Sequence, residues 1–140
     1  MREEKITFSF HDLSKVTIFV SYKHLRIIFM QNKVVIITGA SSGIGKALVY
    51  EFAKRGAKIA MGARNLDELH KIETDLKSRG VDALSVQTDV TREADCKNLI
   101  EKTVERFGKI DVLVNNAGIS MRALFVDLEL DVIRRLMDVN

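Results

Sequence analysis

From Lys33 onward the chain alternates short apolar runs with amphipathic stretches. Val34-Val35-Ile36-Ile37 is continuous and apolar, the pattern of a strand buried on both faces of a parallel sheet. Ile44, Ala47, Leu48 and Phe52 then recur at helical spacing, with Lys54 and Arg55 in the last turn and Gly56 as a stop. Lys58 to Ala63 predicts a second strand. Asn65 predicts the cap of a second helix, with Glu68 at the capping-box position, an apolar stripe of Leu66, Leu69, Ile72 and Leu76, and Gly80 at its end. Ala83 to Val86 predicts a third strand. Thr91 opens a third helix, with Cys96, Ile100, Val104 and Phe107 facing inward and Gly108 behind them, and Ile110 to Val114 predicts a fourth strand. Leu128, Val132, Leu136 and Val139 again have helical spacing, and the sequence ends inside that helix. Strands alternating with helices predict an α/β fold with a parallel sheet and right-handed crossovers.

The first 29 residues have a different composition. Phe8, Phe10, Phe19, Tyr22 and Phe29 are five of the nine aromatics, whereas all eight glycines lie from Gly39 onward. Ile6, Phe8 and Phe10, then Val16, Ile18 and Val20, alternate as short strands around His11-Asp12, the pattern of a hairpin. Glu3, Glu4, Asp12, Lys15 and Lys23 interrupt any signal-peptide pattern. Met30 also resembles a self-sufficient start, so the favoured reading makes residues 1–29 an accidental extension of the reading frame and residues 30–140 the domain proper.

Composition adds mainly exclusions. A chain of 140 residues with 46% hydrophobic and 29% charged residues has the makeup of one globular domain. Cys96 is the single cysteine, which rules out an internal disulfide and favours a reducing, cytoplasmic setting. No apolar run approaches the ~18 residues of a spanning helix, so no membrane partner is expected. The formal charge of +3 shrinks on inspection. Residues 1–29 hold five basic and three acidic side chains, residues 30–140 seventeen and sixteen, and no basic stripe favours nucleic acid. His11 and His24 lack partners at metal-ligand spacing, so no metal is expected. Proline is absent, although about 5% is usual.

The chemistry concentrates at Thr38-Gly39-Ala40-Ser41-Ser42-Gly43-Ile44-Gly45, between the first strand of the regular region and its helix. Glycines there let the chain turn sharply and let backbone N–H groups approach a pyrophosphate, with the helix dipole behind them. Gly45, on the helix, permits close helix–strand packing. Thr88-Asp89-Val90 follows the third strand, Asn115-Asn116-Ala117-Gly118 the fourth, and Met137-Asp138-Val139-Asn140 closes the sequence.

Taken in order, these four motifs resemble the short-chain dehydrogenase/reductase family over residues 32–140. The resemblance implies a Rossmann-type doubly wound sheet of strand order 3-2-1-4, counted from Val34, and incomplete. It implies an oxidoreductase moving hydride between NAD(P)(H) and a small carbonyl or alcohol. It places Gly39, Ser41, Ser42, Gly43, Ile44 and Gly45 at the cofactor phosphates and Asp89 and Val90 at the adenine. Asn116, Ala117 and Gly118 fall along the ribose, Asn115 ties neighbouring strands, and Asn140 is the active-site asparagine. NAD-binding relatives carry an acid at the end of the second strand. Ala63 and then Arg64 stand here, and an arginine grips a 2′-phosphate, so NADP(H) is expected over NAD(H).

The family's serine and its Tyr-x-x-x-Lys pair lie downstream of the position of Asn140. The sequence as given is thus expected to be inactive alone, exposed at its fourth strand and prone to aggregate. The alternative is a dinucleotide-binding module without catalysis. Tyr50 and Lys54 share the Tyr-x-x-x-Lys spacing but lie ahead of the other motifs, so that match is attributed to chance. Full-length relatives commonly form dimers or tetramers through the helix beginning near Leu128.

Overall fold

The computed structural model describes residues 5–7, 17–19, 30–120 and 129–140. Strands β1 (Lys5–Thr7) and β2 (Thr17–Phe19) pair antiparallel with Ile6 opposite Ile18, in line with the alternation in the sequence. The expected turn at His11-Asp12, and Leu128, lie outside the described residues.

The larger sheet is built from β3 (Val34–Thr38), β4 (Lys58–Ala63), β5 (Ala83–Gln87) and β6 (Val112–Val114). Its order is β5-β4-β3-β6 and every pair is parallel, which is the 3-2-1-4 arrangement. Helices α1 (Gly43–Lys54), α2 (Leu66–Ser78) and α3 (Glu93–Phe107) make the crossovers, and α4 (Leu130–Val139) follows β6.

All five residues of β3 are buried because both faces of the sheet are covered. Val35 and Ile37 join Val49 and Ala53 of α1, Ile59 and Met61 of β4, and Leu69, Ile72 and Leu76 of α2 in one core layer. The residue between them, Ile36, points the other way, into a smaller layer with Ala60, Val86 and Leu99 of α3. The period-two alternation of strand side chains therefore distributes one apolar run between two layers.

Two helix faces depart from expectation. Ile44 is 74% exposed, and α1 instead buries Gly45, Val49 and Ala53. Helix α3 buries Leu99 and Thr103, leaving Ile100 and Val104 at the surface and Cys96 and Phe107 half-buried. Its true stripe is rotated by about one residue, or ~100°. Thr103 is accommodated because its hydroxyl donates to the Leu99 carbonyl at 2.6 Å, satisfying the polar group inside the helix.

Caps also differ in detail. Asn65 Oδ1 accepts the Glu68 backbone N–H at 3.1 Å, as expected. The Glu68 carboxylate does not complete the capping box; it accepts from Lys46 Nζ at 2.9 Å and Lys71 Nζ at 3.2 Å. Thr91 does not cap α3, which begins after Arg92. Its hydroxyl turns back to donate to Asp89 Oδ1 at 2.8 Å.

Candidate dinucleotide site

The carboxyl ends of β3, β4, β5 and β6 open into a cleft of about 450 Å³. In open α/β sheets a ligand crevice forms where crossovers diverge to opposite faces, here between β3 and β6. Gly39, Ser41, Ser42, Gly43 and Ile44 line one wall. Ala63, Arg64 and Asn65 line the second, Thr88, Asp89 and Val90 the third, and Asn116, Ala117, Gly118, Ile119 and Val139 the remainder. Of the expected site residues, only Gly45 and Asn140 are not among the lining groups.

The glycine loop has the form its composition dictates. Gly39 and Gly43 adopt φ of 66° and 54°, a region that side chains disfavour. A Cβ on Gly43 would point into open space, whereas one on Gly45 would lie 2.2 Å from the Gly39 carbonyl oxygen and 2.5 Å from Asn116 Nδ2. Gly45 therefore acts behind the wall, letting α1 press against the loop. The amino end of α1 has no side-chain cap from Ser42 and no acid in its first turn, which leaves backbone N–H groups for an anion.

The wall opposite is stitched to the loop by one hydroxyl. Thr38 Oγ1 accepts the backbone N–H groups of Asn116 and Ala117, both at 3.0 Å, and donates to the Val114 carbonyl at 3.4 Å. Asn116 Nδ2 donates to the Thr38 carbonyl at 3.0 Å and toward that of Gly39 at 3.4 Å. The strand-tying amide is thus that of Asn116 rather than the expected Asn115, which is exposed, while Asn116 also lines the cleft as expected. A threonine ending a buried apolar strand, directly before the first glycine, is the sequence signal for this stitch.

On the third wall Asp89 is held from both sides. Its carboxylate accepts from the Thr91 hydroxyl and the Thr91 N–H, and its own N–H donates to Asp95 Oδ2 at 2.9 Å. These Thr91 bonds, with lesser help from the Arg64 and Arg92 charges, keep the Asp89 carboxyl below the usual carboxylate range. It stands at the cleft as an ionised acceptor, suited to an adenine amino group. Arg64 is exposed and, like Arg92 and Arg135, makes no ion pair among the described residues, whereas Arg55, Arg79, Arg106 and Arg134 each have a carboxylate partner.

Asn140 lies at the cleft margin. Its Oδ1 accepts the Ile119 N–H at 3.0 Å and its Nδ2 donates to the Ile119 carbonyl at 2.9 Å. Both polar ends of the amide thus bind one backbone residue, and Asn140 positions the segment just past Gly118. Tyr50 and Lys54 are absent from the cleft lining. Burial first, and then the Asp75 carboxylate, raise the Tyr50 hydroxyl above the ordinary tyrosine range. That is the wrong direction for a proton-transfer tyrosine at neutral pH.

Residues 33–140 match the short chain dehydrogenase family. The chain belongs to that family. Among its relatives, it is 42% identical to an 11-beta-hydroxysteroid dehydrogenase-like protein of Arabidopsis thaliana, covering 84% of this chain and 39% of the relative. It is 46% identical to an 11-beta-hydroxysteroid dehydrogenase of Arachis hypogaea, over 77% of this chain and 32% of that protein. The chain spans well under half the length of these curated relatives.

Solved structures agree. A short chain dehydrogenase/reductase from Burkholderia phymatum in complex with NAD superposes with a TM-score of 0.77 at 28% identity, covering 81% of this chain and 40% of that one. An alcohol dehydrogenase from Thermococcus sibiricus complexed with 5-hydroxy-NADP gives 0.74 at 36% identity, with 76% and 46% covered. The family uses NAD(P), and the residues present fit such a group: the unsubstituted face of Gly43, the free amino end of α1 and the ionised Asp89 all meet one cleft.

Proposed function

We propose that this chain is the nucleotide-binding portion of an NADP(H)-dependent oxidoreductase acting on a small carbonyl or alcohol substrate. The observation that carries the preference for NADP(H) is Arg64, a cleft residue without a carboxylate partner among the described residues, beside Ala63 where NAD-binding relatives carry an acid. Its guanidinium supplies a charge-assisted grip on a 2′-phosphate, and no acid at that position repels the phosphate. Residues 39–45 would hold the pyrophosphate, Asp89 and Val90 the adenine, and Asn116, Ala117 and Gly118 the adjoining ribose. When bound, the nicotinamide supplies the hydride-accepting or hydride-donating carbon. Asn140 positions the segment after Gly118 through its two bonds to Ile119.

The test is binding of 2′,5′-ADP and 5′-AMP by calorimetry. Arg64→Ala should weaken 2′,5′-ADP by about 10- to 100-fold, corresponding to ~1.5–3 kcal/mol for a hydrogen-bonded charge, and leave 5′-AMP unchanged. Equal affinity of wild type and variant for 2′,5′-ADP would remove the NADP(H) assignment. A second reading is a dinucleotide-binding module without catalysis, since the groups gathered at the cleft are those suited to holding a nucleotide. It predicts cofactor binding with no NADPH oxidation over a panel of ketones and aldehydes.

A further inference from the structure

The side chain that grips a 2′-phosphate is only as well aimed as the loop that carries it. Arg64 lies between the end of β4 and the amino end of α2, and that junction is fastened at three points. Thr88 N–H donates to the Ala63 carbonyl at 3.0 Å, just beyond the last β4–β5 pair, Ala63 with Gln87. Asn65 Oδ1 accepts the Glu68 N–H and turns the chain into α2. Between them, Gln87 Nε2 donates to the Arg64 carbonyl at 3.2 Å. That side-chain bond carries the connection between the strands one residue past the backbone ladder, to the residue that faces the phosphate. Gln87 itself is exposed and is not among the groups lining the cleft.

We infer that Gln87 is a positioning residue for 2′-phosphate recognition, acting through the backbone of Arg64. This rests on the NADP(H) reading of the same site. Without the bond the Arg64 carbonyl turns to water, the Arg64 ψ angle is released, and the guanidinium samples orientations away from the phosphate. Recognition of the adenine, ribose and pyrophosphate, which rely on the other walls, is untouched. A fixed carbonyl is thereby converted into discrimination between two nucleotides that differ by one phosphate.

The experiment is a double-mutant cycle on the full chain with Gln87→Met, which keeps the length of the side chain and removes its donor. Affinities for 2′,5′-ADP and 5′-AMP are read by calorimetry, alongside thermal midpoints. The expected result is a loss of about two- to tenfold for 2′,5′-ADP, with 5′-AMP affinity unchanged and the midpoint lowered by no more than one exposed hydrogen bond accounts for. In the Arg64→Ala background, Gln87→Met should then have no further effect on 2′,5′-ADP. Equal losses for both nucleotides, or a full additive loss in the Arg64→Ala background, would overturn the inference. If Arg64→Ala weakens 2′,5′-ADP and Gln87→Met does not, the positioning role fails while the NADP(H) reading stands. If Arg64→Ala has no effect, it is the NADP(H) reading that fails.

Discussion

Replacing Gly45 with alanine sets two known effects against each other. Gly45 is the third residue of α1, and in a helix alanine is favoured over glycine by about 1 kcal/mol. Propensity alone therefore predicts a stabilised protein. The added methyl would lie 2.2 Å from the Gly39 carbonyl oxygen, 2.8 Å from the Gly39 carbonyl carbon and 2.5 Å from Asn116 Nδ2. Relief requires a shift of roughly 1 Å to reach ordinary contact, and the nearest neighbour is backbone rather than a flexible tip. Gly39 cannot simply retreat, since its own position already abuts Ala117 Cα, where a Cβ would stand 2.8 Å away. Overpacking of this kind costs about 1–3 kcal/mol, and loss of an Asn116 amide bond adds about 0.5–1.5 kcal/mol. The clash outweighs propensity, for a net destabilisation of about 1–3 kcal/mol. Urea denaturation followed by circular dichroism reads this directly, with 5′-AMP affinity as a second measure of the displaced loop. Ala47→Gly on the exposed side of the same helix supplies the propensity scale, at about 1 kcal/mol lost. A Gly45→Ala protein more stable than wild type, with nucleotide affinity intact, would refute the close-packing role.

Three further outcomes follow from the geometry. Thr38→Val removes the acceptor shared by the Asn116 and Ala117 N–H groups, and should cost about 1–3 kcal/mol in denaturant titration and weaken nucleotide binding; an unchanged midpoint would show that water replaces the hydroxyl. Burial of Asp111 opposes its ionisation, yet Lys109, the Val34 N–H and Lys33 together lower its pKa to about 2. An acid whose folded pKa lies below an unfolded value of about 3.9 adds stability above pH ~4 that is lost as pH falls toward 2. Asp111→Asn should therefore lose about 1–2 kcal/mol at pH 7, after allowance for solvent screening, and show a flatter acid limb in pH-dependent unfolding. Tyr50, finally, should ionise above the ordinary tyrosine range in an ultraviolet difference titration against Tyr50→Phe; ionisation below that range would reopen a catalytic role.

The parts of the molecule legible from sequence are those where backbone geometry restricts the residue. Gly39, Gly43 and Gly45 mark the loop because positive φ or a blocked Cβ admits little else. The β3 run marks a doubly covered strand because every position in it is buried. Side-chain partnerships were less legible. Thr103 occupies the core of α3 through a bond back to Leu99, so the apparent stripe of Ile100 and Val104 pointed to the wrong face. Asn115 and Asn116 are chemically identical neighbours, and only the position of Thr38 determines which of them ties the strands. Glu68 fits a capping box by spacing, yet Lys46 on another helix draws its carboxylate away. The last two depend on a choice between equivalent groups and on a contact distant in sequence, whereas Thr103 depends on a local bond that lets a polar residue take a core position.

The Thr38 stitch also bears on the order in which the site can form. The groups it joins are 78 residues apart, from Thr38 to Asn116, so the contact carries a large loop-closure cost and belongs to the slow, non-local part of folding. During synthesis the glycine loop emerges long before its opposing wall has been made, and nucleotide at that stage meets half a cleft. A dinucleotide that binds the cleft should consequently slow unfolding while leaving the refolding rate nearly unchanged, because both walls stand together only after the β3–β6 pairing is in place.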